Sequence, residues 1–175
     1  MRVCVEVEAN CKAILQENGY VKSTDMNMSD YKKINRTHHL SSYQIKIPFW
    51  SGRKNLRSPF SRWRSGGSLS WYQAYNVTKH DRRVRFEMAT FDCLIEAVCG
   101  LLVILSSQFG TEEFSPGPSL LAGAGPGDGM EHAIGSYFQV HFPTDWPKNK
   151  RYDFDWQKLK DDPDPFQLID YTATA

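Results

Sequence analysis

Asn76 and His80 stand four residues apart in the stretch WYQAYNVTKHDRRVR, so on a helix they project from one face, with Tyr72 and Arg83 on the same stripe. An imidazole can give or take a proton near neutral pH, and Lys79, Arg82 and Arg83 stand beside it, where cations could hold a phosphate. Metal-independent cleavage of RNA needs those parts. His80 would serve as acid or base, Asn76 would orient it, and Lys79 and Arg82 would stabilise the charge that develops in the transition state. The plainer alternative has Asn76 and His80 hydrogen-bonded to loop backbone or to the acidic tail, pinning the helix in place.

The 21 Lys and Arg residues nearly balance 20 Asp and Glu, but they are unevenly spread. Between Ser51 and Arg85, nine basic residues (Arg53, Lys54, Arg57, Arg62, Arg64, Lys79, Arg82, Arg83 and Arg85) face one acid, Asp81. Arg53, Lys54, Arg57, Arg62, Arg64 and Arg83 are candidate nucleic-acid contacts. Trp50, Phe60, Trp63, Trp71 and Tyr72, interleaved with them, could present faces on which bases stack. A competing expectation buries those aromatics and pairs the arginines with C-terminal aspartates such as Asp153, Asp155 and Asp162, or with an acidic protein partner.

Metal and cofactor chemistry finds little support. His38, His80 and His141 lack any H-E-x-x-H or equivalent spacing. Cys4, Cys11, Cys93 and Cys99 contain no C-x-x-C pair and fall in apolar helical patterns, as buried free thiols do in a reducing compartment. The Gly- and Pro-rich run from Ser115 to Gly129 is no phosphate cradle, because Asp128-Gly129-Met130 stands where a Lys followed by Ser or Thr is needed. The first residues, MRVCVEVEANCKAIL, include Glu6 and Glu8 and lack the apolar core of a secretory signal, so a cytoplasmic protein is expected. The most apolar run, Leu94 to Leu105, spans about 12 residues and contains Glu96. It reads as a buried helix, too short and too polar to cross a bilayer, and no membrane association is expected.

The elements that must position these residues are mainly helical. With 175 residues, 41% of them hydrophobic and 13% aromatic, the chain suits one domain with a real core. The expected fold is mainly α: a helical bundle with a small two-stranded β element and a long aromatic C-terminal tail. Within 1–110, a helical core, residues 3–17 place Cys4, Val7, Cys11 and Ile14 at helical spacing and stop at Asn18-Gly19. Ser29 to Leu40 reads as a short helix capped by Ser29, and Tyr43 to Phe49 as a half-buried strand. Residues 51–68 form an ordered basic loop, followed by a helix over 69–80. A heptad chain of Val84, Met88, Phe91, Ile95, Val98, Leu102, Leu105 and Phe109 predicts a central helix over 84–109, its face suited equally to a core and to a homodimer seam. A Gly/Pro loop occupies 111–130. Residues 131–175 supply a second strand at Tyr137 to Phe142, able to pair with the first, and a docked tail bearing Trp146, Phe154, Trp156, Phe166 and Tyr171.

The segment WYQAYNVTKHDRRVRFEMATFDCLIEAVCGLLVIL, a polar Y-N-x-x-K-H-D-R run leading into an apolar helix, resembles the final helices of the HEPN superfamily (higher eukaryote and prokaryote nucleotide-binding domains). It covers about a quarter of the chain. The resemblance implies a compact helical bundle of the kind found in prokaryotic toxins, phage-defence proteins and RNA-processing enzymes, whose active members are metal-independent, usually dimeric ribonucleases. Their signature is an Arg, then Asn, Asp or His, and a His a few residues on. Asn76 and His80 match it, while Tyr75 stands at the position of the Arg. The expectation is an RNA- or partner-binding protein using the basic face. A ribonuclease built on His80, or a structural or regulatory interaction protein with no nucleic-acid role, are the alternatives.

Overall fold

A computed structural model of the protein describes residues 2–51, 54–110, 129–135, 137–146, 161, 163 and 168–173. Helix α1 (Arg2–Glu17) buries Cys4, Val7, Cys11, Ile14 and Leu15, the stripe that the sequence spacing predicts. It stops where Gly19 adopts φ +74°, a left-handed conformation, and the amides of Gly19 and Tyr20 donate back to the carbonyls of Gln16 and Leu15.

The expected short helix over 29–40 is a chain of single turns: α2 (Met28–Tyr31), a 3-10 turn at Lys32–Ile34, and α3 (Asn35–His38), which ends at His39 with φ +49°. Its cap is Asn27 rather than Ser29. The Asn27 side chain accepts from the Ser29 amide at 2.9 Å, and the Asp30 carboxylate accepts from the Asn27 amide at 2.8 Å.

The β element has four strands where two were expected. β1 (Gln44–Lys46), β2 (Leu56–Arg57), β3 (Glu131–Ala133) and β4 (Phe138–His141) form an antiparallel sheet in the order β2-β1-β4-β3. The expected pair is its centre, with Ile45 opposite Val140 and both fully buried. The additional edge strands are two and three residues long, too short to show an alternation of their own.

The expected central helix over 84–109 is interrupted. Helix α4 (Ser70–His80) is followed by one turn of α5 (Arg82–Arg85), a 3-10 turn at Phe86–Met88, and then α6 (Phe91–Phe109). Thr90, in extended conformation, starts α6 by accepting the Cys93 amide at 3.2 Å, so the apolar heptad crosses a cap without continuing as a helix. Val84, Met88 and Phe91 are therefore exposed, while Leu102 of the heptad is buried together with Ala97, Cys99, Gly100, Val103, Ile104, Ser106 and Ser107. α6 packs against α1 and α4. A Cβ at Gly100 would come 3.2 Å from the Trp71 ring, and the glycine permits this approach of α6 to α4. At 19 residues and mean hydropathy 1.6, α6 is, among the described residues, the one helix long and apolar enough to cross a membrane, longer than the sequence run suggested.

The C-terminal residues 168–173 lie on the α1–α3 face. The Ile169 amide donates to Asn18 at 2.8 Å, Lys33 donates to the Tyr171 carbonyl, Arg36 donates to the carbonyls of Asp170 and Ala173, and the Tyr171 ring is 1% exposed. Trp146 is buried and stacks on His39 with ring centroids 5.4 Å apart. Phe154, Trp156 and Phe166, and the 115–128 part of the Gly/Pro loop, lie outside the described residues.

Candidate nucleic-acid interface

The basic window divides into three environments. In the first, Arg57 is 3% exposed and serves the fold. Its Nη1 donates to Asp92 at 2.8 Å and to Glu96 at 3.0 Å, and Trp50 lies beneath its guanidinium at 5.8 Å. Lys54 donates to the same Asp92 at 2.9 Å. Bonds from Lys54 and Arg57 hold the Asp92 carboxyl below the usual range. Arg57 is thus corrected from a nucleic-acid contact to a buried structural cation, and its acidic partners among the described residues come from α6. Arg53 lies outside the described residues.

In the second environment, Arg62 and Arg64 stand exposed on the 3-10 turn Ser61–Ser65, which packs against Leu40–Ser42. Arg64 donates to the Ser42 hydroxyl at 3.1 Å. Between these two environments the aromatic residues turn inward: Phe60, Trp63, Trp71 and Tyr72 are all core, and Trp71 donates its indole N–H to the Pro59 carbonyl at 2.9 Å. They are not a stacking platform. Tandem large aromatics among arginines look the same in sequence whichever way they face.

The third environment is the end of α4 and the turn of α5. The stripe Tyr72–Asn76–His80 runs from buried to half-buried to exposed, with the Tyr72 hydroxyl donating to Glu8 at 2.6 Å. His80 sits in the solvent at the last turn, and among the described residues no carboxylate, amide or carbonyl holds its ring. Lys79 is exposed, with its ammonium 5.4 Å from the Tyr75 ring centroid. Arg82, Arg83 and Arg85 follow on α5, all exposed and, among the described residues, in no ion pair. Asp81 lies among them as the cap of α5, accepting the Val84 amide at 3.3 Å. Cations in the last turn of α4 also oppose the negative end of its dipole.

The structure thus brings Lys79, His80, Arg82 and Arg83 to one exposed corner, with Asn76 a turn behind, and separates them from Arg57. Tyr75, where the HEPN signature has Arg, is 5% exposed. His38 is buried on α3, His80 is on the α4 end and His141 is on β4, and no three His, Cys, Asp or Glu side chains converge as a metal set among the described residues. Missed in the sequence were two exposed aromatics: Phe86, 61% exposed just after α5, and Phe91, 62% exposed at the start of α6 and stacked on Trp50 at 5.9 Å on the Arg57 side. The signal was Thr90-Phe91-Asp92, a cap with an acid in the first turn, which marks a helix start inside the apolar run. Compared with known proteins, the chain matches no family model, no curated protein and no solved structure.

Proposed function

We propose that this is a HEPN-like cytoplasmic protein that binds single-stranded RNA through the corner formed by Lys79, Arg82, Arg83 and Arg85, without cutting it. The observation that carries the reading is the grouping of four exposed cations within seven residues, with Asp81 and Glu87 the acids beside them and no ion pair formed among the described residues. Phe86 is exposed next to that group and offers an apolar face that the buried tryptophans do not. Packing of α4, which bears the Asn76–His80 motif, against the apolar α6 agrees with the HEPN resemblance. Against catalysis stand Tyr75 at the Arg position and a His80 ring that no described residue orients, since acid–base work needs a positioned group.

The test is binding and cleavage of labelled single-stranded RNA at about 50 and about 200 mM salt, where phosphate contacts separate from others. The parent should bind more weakly at the higher salt and leave the RNA intact, His80→Ala should bind like the parent, and Arg82→Ala/Arg83→Ala should lose affinity. Cleavage abolished by His80→Ala would replace this reading with an endoribonuclease. Absence of binding at low salt would replace it with an interaction protein whose cationic corner meets an acidic protein.

A further inference from the structure

Beside the cationic corner a cavity of about 330 Å³ opens between the first turn of α1, the middle of α4, the turn at Phe86–Met88 and the start of α6. Its inner wall is apolar, formed by Trp71, Ala74, Tyr75 and Ala97. Phe86 and Leu94 make its lip, 61% and 41% exposed. Among the described residues Arg82 is the one charged side chain in the lining, and no Asp or Glu accompanies it.

We propose that this cavity binds a medium-chain carboxylic acid, with the tail against Trp71, Ala74 and Ala97 and the carboxylate on Arg82. The volume falls at the small end of the roughly 300–1,000 Å³ typical of ligand sites, enough for one apolar body. The cation is exposed while the wall behind it is apolar and buried, which orients an amphiphile head-outward. A guanidinium with no carboxylate partner among the described residues matches a planar carboxylate through its fork of donors. Sugars and nucleotides fit poorly because the inner wall is apolar and two of the lining hydroxyl oxygens, those of Thr78 and Thr90, are already in hydrogen bonds. The Thr78 hydroxyl already donates to the Ala74 carbonyl at 2.7 Å, and the Thr90 hydroxyl oxygen already accepts the Cys93 amide at 3.2 Å. This proposal does not rest on the RNA-binding reading, but both use Arg82, so a bound acid would compete with a phosphate for its guanidinium.

The experiment titrates hexanoate, octanoate, decanoate and decanol into the full chain by calorimetry, with Trp fluorescence as a second readout. Affinity should rise roughly fourfold per added methylene until the cavity is full. Arg82→Gln should cost decanoate about tenfold while leaving decanol unchanged. Ala74→Leu should abolish the gain from octanoate to decanoate. Leu94→Glu, a change at an exposed position, should repel the acids without unfolding the protein, as judged by its thermal midpoint. Overturning results are the absence of saturable binding by any chain length, or acid and alcohol binding equally in the parent. Sedimentation showing a dimer that Leu94→Glu dissociates would also overturn the proposal, assigning the face to a second copy of the chain.

Discussion

Nη1 of Arg57 lies 2.8 Å from Oδ1 of Asp92, and this pair ties the sheet edge at β2 to the first turn of α6. Glu96, one turn further along α6, accepts from the same nitrogen at 3.0 Å. Burial works against the charge on Arg57, but the two carboxylates outweigh it. Arg57→Leu should therefore destabilise the fold by about 2 kcal/mol, less than a fully enclosed pair would cost, because Asp92 is 44% exposed and water can serve it when Arg57 is gone. Arg57→Lys should restore part of the loss, since both bonds leave the single nitrogen Nη1, whose place a shorter ammonium fills only in part, while Nε and Nη2 are buried and make no bond among the described residues. Urea denaturation reads both values, and an Arg57→Leu protein as stable as the parent would remove the structural role.

Stability should fall in acid, first because of His38. That ring is 1% exposed, and burial, with a smaller contribution from His39, pushes its pKa down from 6.5 to about 4. Between those values the unfolded chain binds more protons, so stability is lost as pH falls through the window, by roughly 2–3 kcal/mol. Asp30 adds a later loss. Burial opposes its ionisation, but bonds from Lys22, the Asn27 amide and Tyr20 outweigh it and hold the carboxyl below the usual range. Its contribution is present above the ordinary carboxylate pKa and disappears as pH falls through the lowered value. Urea midpoints at pH 7, 5 and 4 should decline in the parent, and His38→Gln should flatten the decline between pH 7 and 5. An unchanged decline in His38→Gln would contradict this assignment.

Gly100→Ala should destabilise by about 1 kcal/mol, although alanine is the better helix former by a similar amount. The added methyl would lie 3.2 Å from the Trp71 ring, which cannot retreat easily because its N–H is bonded to the Pro59 carbonyl and Phe60 packs against it edge-on. A thermal midpoint at or above the parent's would show that Trp71 has room to move.

Helix α1 was legible because its buried stripe is regular and Asn18-Gly19 marks its end. The central helix was misread because apolar side chains continue through residues 84–91 while the backbone breaks at Ala89 and Thr90; periodicity records side-chain type and not hydrogen bonding. Edge strands β2 and β3 are defined by their neighbours in the sheet, not by their own residues. At the candidate site, the cations of residues 79–85 were legible as a group on one helix end. The removal of Arg57 and Lys54 from that group was not, because Asp92 is brought to them only by tertiary packing.

The most direct test of the cationic corner is the salt dependence of single-stranded RNA binding, compared between Arg82→Ala/Arg83→Ala and Arg62→Ala/Arg64→Ala. Each lost phosphate contact lowers the slope of log affinity against log salt by about 0.7. The first double variant should flatten the slope by about 1.4 and weaken binding at low salt, while the second leaves both near the parent values. Equal losses in the two variants, or a slope indifferent to Arg82 and Arg83, would contradict the assignment of RNA binding to the end of α4 and the turn of α5.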